Sequence, residues 1–133
     1  MQSSQTVPTS KKMLWAGRIV SALVALFLFA DSVMKLLKAA PVLEAQTRLG
    51  WPESLTLALG ITLLACTLAY AIPSTSILGA ILMTAYLGGA TAAHVRVGEP
   101  FYFPIVFGVL VWAGLYMRDG RLRALVPLDG SKS

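Results

Sequence analysis

The feature that most constrains the fold is a stretch of the chain, residues 54–95, that contains no Asp, Glu, Lys or Arg. Only the short segment 73–76, Pro-Ser-Thr-Ser, interrupts its apolar character. Such a stretch is too long for one membrane-spanning helix and fits two of about 20 residues each. Because the interruption is too short to leave the membrane surface, we predict that the two helices are antiparallel neighbours.

Apolar segments on both sides of this stretch add two further spans. The predicted spans cover about 15–37, 54–72, 76–95 and 101–117. Composition agrees, because only 13% of the 133 residues are charged, against about a quarter in soluble domains. The predicted fold class is all-α, a four-transmembrane-helix bundle. It forms one membrane domain, 13–127, between a disordered cytoplasmic tail, 1–12, and a C-terminal tail, 128–133.

The connection between the first two spans predicts a short helix on the membrane surface. Pro41 suits the first turn of a helix, and Gly50 suits the position just after the last turn. Val42 and Leu49 fall on one apolar face. We therefore expect an interfacial helix over residues 41–49.

Small residues recur every four positions in two of the spans. Such rows let a neighbouring helix approach closely, so they predict tight helix packing. They comprise Gly17, Ser21 and Ala25 in the first span, and Ala80, Thr84, Gly88 and Ala92 in the third.

The basic residues predict the orientation in the membrane. The net charge is +5, but the basic side chains do not form a patch interleaved with aromatics, so no nucleic-acid partner is expected. They concentrate before the first span and after the last, and by the positive-inside rule both termini are cytoplasmic. The predicted location is a bacterial cytoplasmic (inner) membrane, with the lipid bilayer around the bundle.

Ionisable side chains near the ends of two spans indicate a candidate site. Asp31 and Lys35 lie four residues apart on one helix face, in the better order for an ion pair. At 1.5 Å per residue, Asp31 lies about 24 Å along the first span and His94 about 27 Å along the third. Both therefore approach the extracytoplasmic boundary. Because histidine exchanges protons near neutral pH, Asp31 and His94 are the candidate catalytic residues.

Five further residues are candidate ligand-binding groups around the same pocket. Structural roles remain open, because Lys35 can extend to the interface, Asp31 can tie two helices together and loop charges can be ordinary surface groups. No metal is predicted, because the only histidine of the chain with one or two carboxylates is a weak ligand set. The five candidates are Lys35, Trp51, Tyr86, Arg96 and Glu99.

Six short motifs give the chain a resemblance that extends from Arg18 to Pro127. They are Asp31-x-x-x-Lys35, residues 49–54 (LGWPES), 78–82 (LGAIL), 86–90 (YLGGA), 94–98 (HVRVG) and 118–122 (RDGRL). The chain resembles the DoxX-like family of small four-helix bacterial membrane proteins. That family takes its name from subunits associated with quinone-linked sulfur oxidation. The resemblance thus implies a four-helix fold and makes a quinone the candidate cofactor.

Three functions remain open from the sequence. The first is an enzyme or redox accessory that binds a small lipophilic molecule in the polar pocket. The second is a non-catalytic membrane partner or scaffold, in a homo-oligomer or with another membrane protein, favoured by the rows of small residues. The third is a small transporter, which ranks last because the spans show no discontinuity.

Overall fold

The computed structural model describes residues 10–126, and every regular element within that range is helical. The predicted all-α fold is confirmed. The parts of the predicted tails at 1–9 and 128–133 lie outside the described residues. The six α-helices are α1 (Lys11–Leu36), α2 (Ala40–Leu49), α3 (Thr56–Ala71), α4 (Ser76–Arg96), α5 (Tyr102–Arg118) and α6 (Gly120–Leu125).

Local capping explains where α1 and α6 begin. The Ser10 hydroxyl accepts a hydrogen bond from the backbone N–H of Met13 at 3.1 Å, which satisfies a free donor of the first turn. Lys11 and Lys12, which the sequence assigned to the tail, therefore belong to α1. In the same way, the Asp119 side chain accepts from the backbone N–H of Arg121 at the start of α6. Sequence patterning did not predict α6.

Four long helices form the bundle. Neighbouring pairs are α1 with α3, α3 with α4, α4 with α5, and α5 with α1, so the predicted pairing of the second and third spans is confirmed. Fully buried side chains such as Leu63, Met83 and Val111 fill the centre. Large apolar side chains cover the outside, for example Leu23 and Val109, which are 64% and 62% exposed. An apolar outer surface of this kind is what a lipid environment requires.

The lengths of the helices suit a bilayer. Three segments are long and apolar enough to cross one, Lys11–Leu36, Glu53–Ala71 and Pro73–Arg96. Helix α5 is apolar but has only 17 residues, about 25 Å at the usual rise. The chain is therefore a membrane protein whose last long helix is slightly shorter than the hydrocarbon thickness of about 30 Å.

The two ends of the bundle differ, and we name them by the short helix that each carries. The α2 end holds α2, the link to α3 and the loop between α4 and α5. The α6 end holds the start of α1, the turn between α3 and α4, and α6. Helix α2 ends at Leu49 and is followed by Gly50, whose φ of 82° is the left-handed conformation that favours glycine.

Helix packing is closest at the α6 end. A Cβ atom added at Gly79 of α4 would lie only 2.5 Å from Cα of Tyr70 in α3. One added at Gly17 of α1 would lie 2.8 Å from the backbone nitrogen of Arg118 at the end of α5. Both glycines therefore permit backbone contacts that no larger residue allows.

The row of small residues in α4 behaves differently from the prediction. A Cβ added at Gly88 would meet nothing within 4 Å, because Gly88 faces an open apolar groove of about 860 Å³ between α4 and α5. The close contact with α3 comes instead from Gly79, outside that row. The prediction was wrong for Gly88 because spacing alone does not give the rotation of the helix relative to its neighbours. In α1, by contrast, Gly17 and Ser21 are both buried.

Candidate functional site

A cavity of about 570 Å³ lies inside the α2 end of the bundle. Side chains of α1, α4 and α5 form its walls, and Leu59 of α3 contributes to one side. Helix α2 lies across its end through Pro41, Val42 and Leu49. Helix α2 therefore forms the cover of this cavity at its end.

Asp31 and Lys35 form an ion pair at the cavity wall. Lys35 Nζ donates to Asp31 Oδ2 at 2.6 Å. The Lys35 side chain is 13% exposed, and the Asp31 side chain is 34% exposed. Lys35 thus bends back toward Asp31 instead of extending to the interface. A half-buried ammonium needs its carboxylate partner, because leaving either charge alone is costly. The pair places one positive and one negative charge at the cavity wall.

His94 lies on the α4 wall of the same cavity and is half-buried. Its Nδ1 is 2.7 Å from the backbone carbonyl oxygen of Ala90. A carbonyl oxygen only accepts, so Nδ1 carries the hydrogen, and in the neutral ring Nε2 is left as an acceptor. Within residues 10–126 the ring makes no hydrogen bond to Asp31. The cavity, not a direct bond, connects these two predicted residues.

Gln46 is a polar cavity residue that sequence reasoning missed. It is only 5% exposed, and its Oε1 accepts a hydrogen bond from the Thr56 hydroxyl. This bond fixes the amide and leaves its NH₂ group as a donor for a ligand. The available signal was its position four residues after Val42, on the buried face of an amphipathic helix.

Aromatic side chains form the apolar part of the cavity wall. Phe27 of α1 stacks on Phe107 of α5 with ring centroids 4.7 Å apart, and Phe103 lies 5.1 Å from Phe107. Trp51 and Tyr86, both predicted ligand-binding residues, also line the cavity. A ligand inside would therefore meet ring faces and edges next to a charged group.

Two predicted site residues, Arg96 and Glu99, do not line the cavity. Arg96 Nη2 donates to the carbonyl oxygen of Leu49 at 2.7 Å, which links the end of α4 to the end of α2. Glu99 Oε1 lies 3.9 Å from Arg48 Nε of α2. Both residues thus lie against α2, and the Arg96 hydrogen bond connects α4 to this cover. The structure brings the other five predicted residues, Asp31, Lys35, Trp51, Tyr86 and His94, around one cavity.

A second polar cluster, at the α6 end, was not predicted. The Tyr70 hydroxyl donates to the carbonyl oxygen of Val111 at 2.7 Å and lies 3.1 Å from Ser21 Oγ. Arg118 Nε donates to Ser21 Oγ at 2.9 Å, and Nη2 donates to the Tyr70 carbonyl oxygen at 3.0 Å. The guanidinium also lies 4.9 Å from the centroid of the Tyr70 ring. This cluster joins α1, α3 and α5 and has a structural role.

An ion pair beside that cluster fixes the start of α6. Arg121 Nη2 donates to Asp119 Oδ2 at 2.7 Å. Burial alone would raise the pKa of the Asp119 carboxyl, but the hydrogen bonds from Arg121 outweigh it and lower the pKa. The same bond raises the pKa of Arg121. Both groups are therefore held in their charged forms.

Comparison with known proteins identifies the family of this chain. A family model described as the DoxX-like family matches residues 19–114. No curated protein and no solved structure matches the chain. The matched range contains Asp31, Lys35, Trp51, Tyr86 and His94, and it is well over half of the chain. The chain belongs to the DoxX-like family.

Proposed function

We propose that this protein binds a small lipophilic molecule with a polar head, with a quinone as the leading candidate, and acts as an enzyme or redox accessory. The observation that carries the proposal is the cavity, about 570 Å³, with an ion pair and an imidazole among aromatic side chains. Ligand sites are mostly apolar spaces of about 300–1,000 Å³ with a few polar groups that set orientation. This cavity fits that description.

The residues present suit the chemistry of a quinone. Its carbonyl oxygens accept hydrogen bonds, and Lys35 and Gln46 supply donors at the cavity wall. Its flat ring can pack against the aromatic side chains. A bound quinone would supply two-electron redox chemistry. His94 would hold or release a proton at Nε2, while Asp31 keeps the Lys35 ammonium paired and oriented.

Binding can be measured through Trp51, because quinones quench indole fluorescence. Replacing Trp15 and Trp112 by Phe leaves Trp51 as the only tryptophan. In nanodiscs, a benzoquinone with a decyl chain should quench it with saturation. His94→Ala should weaken binding about tenfold, since it removes a polar group of the cavity worth about 1.4 kcal/mol. Asp31→Asn should have a similar effect, because it removes the carboxylate that pairs with Lys35 and orients it.

Glu53→Gln is the matched control for Asp31→Asn. Glu53 lies at the same end of the bundle but is exposed and does not line the cavity. Its substitution should leave the dissociation constant unchanged. Absence of saturable quenching in the unsubstituted protein would refute the proposal, as would unchanged binding in both cavity variants.

We also propose that the α6 end faces the cytoplasm of a bacterial cell and that the cavity lies toward the outer face of the inner membrane. Charge supports this orientation. Among the described residues, the α6 end carries six basic side chains and one acid, whereas the α2 end carries four of each. The basic residues at the α6 end are Lys11, Lys12, Arg18, Arg118, Arg121 and Arg123.

Thiol labelling of spheroplasts tests the orientation. Lys12→Cys and Glu44→Cys place an exposed thiol at opposite ends, and native Cys66 is buried. A membrane-impermeant maleimide should label Glu44→Cys in intact spheroplasts and Lys12→Cys only after lysis. The reverse pattern would show that the cavity opens toward the cytoplasmic side.

A further inference from the structure

We propose that the ligand is an amphiphile with a single apolar chain, and that this chain passes out of the cavity between α3 and α4, beside Gly89, into the bilayer. The inference rests on the proposed function, because it concerns a ligand whose head lies in the same cavity. It specifies the class of ligand as molecules that carry an apolar chain in addition to a polar head.

The first observation is where the cavity opens. Its lining includes Leu59 of α3 and Ala85 and Gly89 of α4, and both α4 residues are exposed. A Cβ added at Gly89 would meet nothing within 4 Å. The cavity wall is therefore unfilled beside Gly89, on the side where α3 and α4 are neighbours.

The opposite side of the cavity is covered. There, between α1 and α5, the rings of Phe27, Phe103 and Phe107 contact one another, with centroids 4.7 to 5.8 Å apart. A chain leaving on that side would have to separate packed rings. At Gly89, by contrast, the wall carries no side chain, and the space beside it is open.

The second observation is the depth of the opening. Gly89 lies five residues before His94, about 7.5 Å along the helix axis. Ala85 lies nine residues before His94, about 13.5 Å along the axis. Helix α4 has 21 residues, so both positions are near its middle. The opening therefore faces hydrocarbon, not water or lipid head groups.

Head and chain then have separate environments. A polar head next to His94 and the Asp31–Lys35 pair would remain in the cavity, and an apolar segment of about 7–14 Å would reach the opening. Because lipid tails are as apolar as the protein surface, the chain loses little by leaving the cavity through this opening. A ligand with an apolar chain can therefore place its head in the cavity while its chain stays in hydrocarbon.

The experiment compares Gly89→Leu with Gly88→Leu, using Trp51 quenching in nanodiscs. The two glycines are adjacent and both face open space, but Gly88 lines the groove between α4 and α5 instead of the cavity. The probes are a benzoquinone with a decyl chain and the same ring with a methyl group, with concentrations expressed per lipid.

Gly89→Leu should weaken binding of the decyl probe about tenfold, because the leucine side chain occupies the space through which the chain leaves. Binding of the methyl probe should stay within about twofold, and Gly88→Leu should change neither. Ala85→Leu, at the same opening, should act in the same direction as Gly89→Leu.

The outcomes separate this inference from the proposed function. If both probes bind but Gly89→Leu affects them equally, or affects neither, the exit past Gly89 is refuted while ligand binding stands. If neither probe binds the unsubstituted protein, the proposed function itself fails. Unchanged unfolding of the Leu variants in SDS verifies that they remain folded.

Discussion

Among the glycines within residues 10–126, Gly79→Ala is expected to cause the largest loss of stability, about 3 kcal/mol. The new Cβ would lie 2.5 Å from Cα of Tyr70 and 2.6 Å from the carbonyl carbon of Ala69. These are backbone atoms, so no change of rotamer relieves the clash. Helices α3 and α4 would have to separate where they are closest.

The matched control for this prediction is Gly88→Ala, in the same helix. A Cβ at Gly88 meets no atom within 4 Å, and alanine is the better helix former, so stability should stay equal or rise slightly. The free energy of unfolding can be compared by SDS titration in mixed micelles. Equal stability of both variants would contradict the close α3–α4 contact.

Arg118→Met is expected to lower the free energy of unfolding by about 2 kcal/mol. The substitution keeps an apolar stem but removes the hydrogen bonds to Ser21 Oγ and to the Tyr70 carbonyl oxygen. It also removes the contact of the guanidinium with the Tyr70 ring. Three helices lose a shared connection, and partly buried acceptors lose their donor.

Arg18→Met is the control for Arg118→Met, since it removes the same charge at the same end. Arg18 is exposed, and its guanidinium lies 5.2 Å from the centroid of the Trp15 ring. Its loss should change stability by less than about 0.5 kcal/mol. If both variants lose the same amount, the effect comes from net charge and not from the cluster of Ser21, Tyr70 and Arg118.

The elements of the fold that the sequence predicted are those with local signals. The uncharged stretch 54–95 predicted two helices, and Pro41 with Gly50 bounded α2, which begins one residue before that proline. Helix α6 has only six residues, too few for a hydrophobic periodicity. It depends on the Asp119 cap and on burial of Leu122, and the second of these is a tertiary contact.

The sequence predicted how far along their helices the site residues lie, but not in which direction their side chains point. Residue counting along the spans placed Asp31 and His94 at one level, and both do line one cavity. The same arithmetic could not show that Gln46 turns inward or that Gly89 lines the cavity, because both depend on how the helices are rotated. Arg96 and Glu99 lie at the right end, yet their side chains point to α2 and its neighbourhood instead of the cavity.

The contrast between Gly79 and Gly89 has a mechanical consequence for α4. The helix is held against α3 near its first turn, whereas Gly88 and Gly89 in its second half face open space. A stiff rod fixed near one end converts a small rotation into a large displacement at the other. His94 lies about 22 Å from Gly79 along the axis, so tilting α4 by about 5° shifts it by about 2 Å. Because Arg96 joins the end of α4 to Leu49, such a tilt would move α2, the cover of the cavity, together with His94 while the tightly packed end stays in place.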